Sequence, residues 1–205
     1  MNKSLAILAF SFASQISLGL AQDGPAAFDY LFKVATHPRC VNCHGIVSEG
    51  KHIPTIGEDR KPHAMNVSSN LPSLGTPCTA CHQKKNFPEA GYPPGAANDL
   101  MPGFLWHMPP ASMILRPGLT KKELCQLWTD PKRNSKVEGG RGSLADLATF
   151  EKEFVHHVTD DPLIHWAFDP GPGRTPAPGS REQLISAMKT WIGWLKQGNN
   201  CNNLL

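Results

Sequence analysis

The sequence predicts a mainly α-helical protein that forms one small domain with long loops rich in proline and glycine. Apolar residues recur at helical spacing in several segments, and no segment has the alternation typical of β-strands. The 205 residues include 18 Gly and 19 Pro. A chain of this length can bury one core and is too short for two ordinary enzyme domains.

The overall composition excludes two classes of protein. With 40% hydrophobic residues, the chain is too apolar to be disordered. A formal net charge of +3 is too small to predict nucleic-acid binding. We therefore expect a folded protein that does not bind nucleic acid.

The first 21 residues have the pattern of a secretory signal peptide. Lys3 provides a cationic start, residues 5–20 carry no charge, and small residues precede a predicted cleavage after Ala21. A membrane anchor is the alternative, but this run is short for a bilayer span and contains polar residues. We expect a signal peptide, 1–21, and a mature domain, 22–205, that is periplasmic and not integral to the membrane.

Five segments of the mature chain carry helix signals, some at their ends and some in their apolar spacing. They are 25–36, a short helix opened by a capping box at Thr120 and Glu123, 143–158, 163–168 and a last helix that the segment 180–183, with Ser180 and Gln183, caps and that Gly198 closes. The stretch 40–117 has almost no periodicity and is crowded with Pro, Gly and Asn. We predict ordered loops there, wrapped around something other than a core of side chains.

That stretch contains two copies of the pattern C-x-x-C-H, which is the attachment sequence of c-type haem. Two thiols three positions apart reach the two vinyl groups of one porphyrin, and the adjacent histidine becomes the proximal iron ligand. The residues are Cys40, Cys43 and His44 in the first copy, and Cys78, Cys81 and His82 in the second. The motifs therefore predict two covalently bound haem c groups.

The four cysteines are also compatible with two other kinds of site. Paired C-x-x-C motifs also form four-cysteine zinc sites, and exported cysteines often form disulfides. Neither reading requires a histidine after both pairs, and only 9 of the 205 residues are histidine. The pattern thus favours haem.

The two motif histidines, His44 and His82, are too close in sequence for each to belong to an independent cytochrome domain. The fold class we predict is therefore a single small dihaem cytochrome c domain whose Pro/Gly-rich loops surround both haems. Haems that share one domain lie near each other, which favours rapid electron exchange between them.

Each proximal histidine leaves one axial position on its iron, where histidine or methionine would give an electron carrier. Two groups of candidates are flanked by stiff residues: His63 and Met65 between the motifs, and His107, Met108 and Met113 after the second motif. Each group is expected to supply one sixth ligand. The alternative is that these residues are not ligands, since a lone methionine usually fills the core and a lone histidine usually lies at the surface.

Cys125 and Cys201 have no C-x-x-C partner. In an oxidising compartment, two leftover cysteines most simply bond to each other. We predict a disulfide that ties the helix near residue 125 to the C-terminal tail.

Several segments together resemble a family of small exported dihaem cytochromes c. They are 37–44, 78–82, 106–110, 130–131 and 166–179, and they span nearly the whole mature chain. Some members of that family are catalogued as subunits of molybdenum hydroxylases of the isoquinoline 1-oxidoreductase type. The resemblance implies electron transfer to or from a redox partner, either such a hydroxylase or another periplasmic dehydrogenase.

These observations favour an electron carrier over an enzyme. A peroxidase-like haem enzyme, or a ligand-binding sensor with one open haem site, is the alternative. Dihaem peroxidases are much longer and divide into two haem domains, and no signalling segment accompanies this chain.

Overall fold

The computed structural model of this protein describes residues 23–63, 65, 67–68, 78, 81–82, 106–130, 155–171 and 173–204. The predicted signal peptide, 1–21, lies outside the described residues. The predicted helix 143–158 lies outside them up to residue 154, and residues 155–160 are helical.

The described part of the chain is mainly α-helical, as the sequence predicts. Its helices are α1 (Gly24–Ala35), α2 (Pro38–His44), α3 (Lys121–Thr129), α4 (Pro162–Phe168) and α5 (Arg181–Lys196), and 3-10 turns lie at Ala111–Met113 and Cys201–Leu204. The predictions of α1, α3, α4 and α5 are confirmed. Both predicted capping boxes are also present, at Thr120 with Glu123 and at Ser180 with Gln183.

Two small antiparallel sheets follow α2. The first pairs β1 (Ile46–Ser48) with β2 (Lys51–Ile53), and the second pairs β3 (Thr55–Ile56) with β4 (Lys61–Pro62). The expectation of loops without strands after residue 40 was therefore wrong. Strands of two or three residues are too short to produce a readable alternation in the sequence.

Helix α2 was also not predicted. Pro38 follows the predicted helix 25–36, where a proline is expected to stop a helix, yet it occupies the first turn of α2. Proline suits a first helical turn because its fixed φ angle is helical and its missing N–H would have no partner there. The same residue thus ends one helix and begins the next.

The hydrophobic core lies where α1 packs against α5. Phe28 of α1 is fully buried, and its ring centroid lies 5.1 Å from that of Trp191 in α5 and 5.9 Å from that of Trp128 in α3. The two helices also meet at Gly24, where a Cβ atom would lie 2.1 Å from Cγ of Trp194. Only glycine permits this approach.

The disulfide predicted between Cys125 and Cys201 is present, with Cα atoms 5.7 Å apart. It joins α3 to the C-terminal 3-10 turn beside the core. Among the described residues, no helix is both long and apolar enough to cross a membrane.

Candidate functional site

A cleft beside α2 brings the two C-x-x-C-H motifs together. Cys43 of the first motif and three residues of the second line it, and its empty volume, including space open to solvent, is about 1130 Å³. The residues of the second motif are Cys78, Cys81 and His82. The remaining walls come from β3, from 106–108 and from α4 with the segment that follows it.

The first motif lies on α2. The helix is capped by His37, whose Nδ1 accepts a hydrogen bond from the backbone N–H of Arg39 at 3.3 Å. On a helix, residues three positions apart lie on the same face, so Cys40 and Cys43 are side by side. The helix ends at Gly45 (φ +66°), where a Cβ would lie only 2.2 Å from the carbonyl oxygen of Ile53.

The ring of His44, the last residue of α2, is oriented by the backbone of Met113. Its Nδ1 lies 2.6 Å from the Met113 carbonyl oxygen. Because a carbonyl oxygen can only accept, Nδ1 carries the proton, and Nε2 of the neutral ring carries the lone pair. Histidines that bind metals typically make this type of hydrogen bond with their other ring nitrogen. His44 has the tautomer that ligation through Nε2 requires.

Two side chains hold the C-terminal end of α2. His52 is 2% exposed and donates from Nε2 to the carbonyl oxygen of His44 at 2.9 Å. Its burial lowers the pKa of the imidazole, which favours the neutral ring. The Arg60 guanidinium donates through Nη2 to the carbonyl oxygens of Val41 (3.4 Å), Gly45 (3.1 Å) and Leu115 (2.8 Å). A cation at the C-terminal end of a helix also interacts favourably with the helix dipole. These contacts fix the position of the first motif.

A side chain within the motif also anchors it. Asn42 donates from Nδ2 to the carbonyl oxygen of Gly57 at 2.9 Å, and its Oδ1 accepts from the Thr55 hydroxyl at 2.8 Å. These bonds tie α2 to β3 and to the turn after it. Asn42, one of the two variable positions of this C-x-x-C segment, therefore fixes the motif to the cleft wall.

The thiols of the first motif are poor nucleophiles in this fold. Burial raises the pKa of Cys40 to about 12 and that of Cys43 to about 11. At Cys43 the charge of Asp161 acts in the same direction and that of Arg39 in the opposite one. Catalytic C-x-x-C dithiols instead have a lowered thiol pKa, because the thiolate is their reactive form. This environment disfavours a thiol–disulfide oxidoreductase.

In the second motif, two backbone hydrogen bonds return to Cys78. The backbone N–H groups of Cys81 and His82 donate to the carbonyl oxygen of Cys78 at 3.2 and 2.9 Å. The His82 ring centroid lies 4.5 Å from that of Trp106 and 6.2 Å from that of His63. A predicted proximal histidine and a candidate sixth ligand therefore lie on the same side of the protein, within one cleft.

The structure distributes the other candidate sixth ligands unevenly. Met65, His107 and Met108 line the cleft together with His63, although Met65 is 48% exposed. Met113 does not line it: its side chain is buried in the hydrophobic core, and its carbonyl oxygen contacts His44. This placement favours a role for Met113 in orienting His44 over direct ligation.

Three cleft residues were missed as site residues. Arg39, Trp166 and Arg174 line the cleft, and Cζ of Arg39 lies 5.0 Å from the centroid of the Trp166 ring. The sequence signal for Arg39 is its position directly before Cys40 of the first motif. Trp166 and Arg174 belong to distant segments whose position depends on the fold.

The four motif cysteines, Cys40, Cys43, Cys78 and Cys81, form no disulfide. Within the described ranges, no group of three or more His, Cys, Asp or Glu side chains is arranged to hold a metal ion. In comparisons with protein-family models, curated proteins and solved structures, nothing matched this chain. The chemistry of the motifs and the cleft therefore carries the functional assignment.

Proposed function

We propose that this chain is a periplasmic c-type cytochrome that holds two covalent haem groups and transfers electrons to or from a partner dehydrogenase or oxidoreductase. Cys40 and Cys43 hold one haem, and Cys78 and Cys81 hold the other. His44 and His82 are the proximal iron ligands. The observation that carries this proposal is that one cleft is lined by Cys43 of the first motif and by Cys78, Cys81 and His82 of the second, while Cys40 packs against the hydrophobic core on the next turn of α2.

The residues present suit a bound haem in several respects. The thiols of Cys40 and Cys43 lie one helical turn apart, and His44 has its Nδ1 proton directed to a backbone carbonyl. Aromatic rings of Trp106 and Trp166 lie in the walls, as expected around a large flat cofactor.

The attachment chemistry requires no oxidant. Each thiol adds its S–H bond across one vinyl C=C bond, so that sulfur bonds to one carbon and the hydrogen goes to the other. No electrons are lost, and the mature protein gains the full mass of each cofactor. The thioethers would keep the cofactors from dissociating outside the cytoplasm.

Once bound, haem iron supplies a one-electron couple whose potential depends on its axial ligands. The protein's own groups would bind, orient and shield it. His44 is oriented by the Met113 carbonyl, and α2 is held in place by His52 and Arg60. A rigid site of this kind keeps the coordination similar in both oxidation states, which suits electron transfer.

The first experiment is intact-mass measurement of the protein purified from a host with a working cytochrome c maturation system. We expect the mass of residues 22–205 plus two haems. The double variant Cys40→Ala/Cys43→Ala should lose one haem, and Cys78→Ala/Cys81→Ala should lose the other. As a matched control, Cys125→Ser/Cys201→Ser removes two cysteines outside the motifs and should keep both. A wild-type mass without cofactor would refute the proposal.

A second experiment separates an electron carrier from an enzyme or a gas sensor. Carbon monoxide is added to the reduced protein while the Soret band is recorded. Two six-coordinate irons should leave the band unchanged, because neither offers an open position. A shifted band together with peroxide turnover would instead identify a haem enzyme.

A further inference from the structure

One wall of the cleft concentrates positive charge and hydrogen-bond donors. Arg39, Trp166 and Arg174 all line it, although they come from α2, from α4 and from the segment after α4. The Arg39 guanidinium is held by a hydrogen bond of 2.6 Å from Nε to the carbonyl oxygen of Thr175, and it lies over the Trp166 ring. The position of Arg39 is thus set by the same segment that carries Arg174.

The Trp166 indole adds an independent indication that a ligand belongs here. Trp166 is only 5% exposed, and its Nε1–H is buried with no hydrogen-bond partner among the residues that the structure describes. Leaving a buried donor unsatisfied costs about 1–3 kcal/mol. An acceptor that contacted this N–H would remove this cost.

The two arginines also repel each other. Burial, and after it the charge of Arg174, lowers the pKa of Arg39, whereas the negative charges of an ionised Cys43 and of Glu58 act in the opposite direction. An anion between the two guanidiniums would relieve this repulsion and could bond to both. Arginine is well suited to this task because its planar group pairs with carboxylates through two parallel hydrogen bonds.

We propose that Arg39, Arg174 and the indole N–H of Trp166 form a carboxylate-binding site in the wall of the cleft, and that it receives the propionate groups of a haem bound there. The propionate part of this proposal rests on the proposed function, since it needs a haem in the cleft. A second source of the same chemistry would be an acidic side chain of a partner protein. The site deepens the proposed function by assigning three residues to the polar edge of the cofactor.

The test uses the holoprotein, after intact mass has established that each variant carries both haems. Trp166→Phe keeps the aromatic ring and changes no charge, so it removes only the N–H donor. We expect the propionate bending band in the resonance Raman spectrum to shift in this variant. Arg174→Gln should shift the same band, and Arg174→Lys should restore part of the shift by returning the charge.

The midpoint potentials provide a second readout. Removing a positive charge beside a propionate stabilises the ferric state, so Arg174→Gln should lower the potential of one haem. A tenfold change in the ratio of oxidised to reduced protein corresponds to 59 mV for a one-electron couple. The matched control is Arg116→Gln, because Arg116 pairs with Glu123 on another part of the surface and does not line the cleft. It should leave both potentials and the Raman band unchanged.

A separate arm tests the partner as the source of the carboxylate. Hexaglutamate is titrated into wild-type holoprotein and into Arg174→Gln. The propionate assignment would be overturned in favour of a partner carboxylate by two results together. The Raman band would be unchanged in Trp166→Phe and in Arg174→Gln, and hexaglutamate would bind the wild type but not Arg174→Gln. No change in any of these measurements would overturn the carboxylate site itself. A protein without haem would instead refute the proposed function, which the initial mass measurement detects separately.

Discussion

The His44 ring and the Met113 backbone are joined by a 2.6 Å hydrogen bond between residues 69 positions apart. Arg60 reinforces the same connection, because it bonds both to the end of α2 and to Leu115, two residues after Met113. The segment after the second motif therefore buttresses the histidine of the first. Residues that follow the second motif in sequence thus form part of the surroundings of the first motif.

The first prediction concerns His44. In the holoprotein, His44→Ala should keep both haems by intact mass, since thioethers do not depend on the iron ligand. One of the two irons should lose a ligand and bind carbon monoxide after reduction. The measurement is the Soret band of the reduced protein with carbon monoxide, of which about half the intensity should shift.

The control for this prediction is His156→Ala, because His156 is 67% exposed and lies in the helical residues 155–160. It should resist carbon monoxide as the wild type does. If His44→Ala also resisted it, His44 would not be an axial ligand.

The second prediction concerns pH and His52. Burial lowers the pKa of His52 in the folded protein, so the unfolded chain binds a proton there more readily. Its contribution to stability is therefore fully present above the unfolded pKa of about 6.5 and is lost as the pH falls towards the folded pKa. Over that range, one such group changes the free energy of unfolding by at most about 1.4 kcal/mol per pH unit.

This effect can be isolated with His52→Gln, which keeps an N–H donor for the His44 carbonyl but does not titrate. Guanidinium unfolding between pH 7.5 and 4.5 should give a smaller loss of stability in the variant than in the wild type. His37 and His63, whose pKa values are also lowered by burial, contribute equally to both proteins. Parallel pH profiles would contradict the prediction.

The third prediction concerns Asp161, which has two separable roles. Its Oδ1 caps α4 by accepting from the Leu163 N–H at 2.9 Å, and its Oδ2 pairs with His157 Nδ1 at 3.0 Å. The two side chains are only 12% and 18% exposed. Burial alone would raise the pKa of Asp161, but the hydrogen bond and charge of His157 and the Leu163 N–H lower it overall.

Asp161→Asn keeps an oxygen for the cap but loses the charge, and it should cost about 1–2 kcal/mol at pH 6. Asp161→Ala loses the cap as well and should cost about 1 kcal/mol more. Asp160→Asn is the matched control, because Asp160 forms the equivalent pair with His156 at an exposed position. Its unfolding free energy should hardly change, and equal losses for Asp160 and Asp161 would contradict the role given to burial.

The sequence was most informative where its signals are local. The capping boxes and apolar spacing predicted α3 and α5, and the count of leftover cysteines predicted the disulfide. Helix α2 and the small strands were not predicted, since only Val41 of α2 is buried and strands of two or three residues give no readable alternation. The positively charged wall of the cleft depends on contacts of Arg39 with Trp166 and Thr175, which lie more than 125 positions further along the chain. No local sequence pattern predicts such contacts.

The last prediction concerns the disulfide between Cys125 and Cys201, which closes a loop across 76 positions. In the chain-entropy model, a loop of that length restricts the unfolded chain enough to stabilise the fold by about 4.5 kcal/mol. Cys125→Ser/Cys201→Ser should therefore unfold at a clearly lower guanidinium concentration while keeping both haems. Dithiothreitol offers an independent check, because it reduces a disulfide but does not cleave a thioether. It should lower the stability of the wild type and leave the double variant, treated in the same way, unchanged. A loss below about 1 kcal/mol would mean that packing of Cys125 in the core, and not the cross-link, holds α3 to the C-terminal turn.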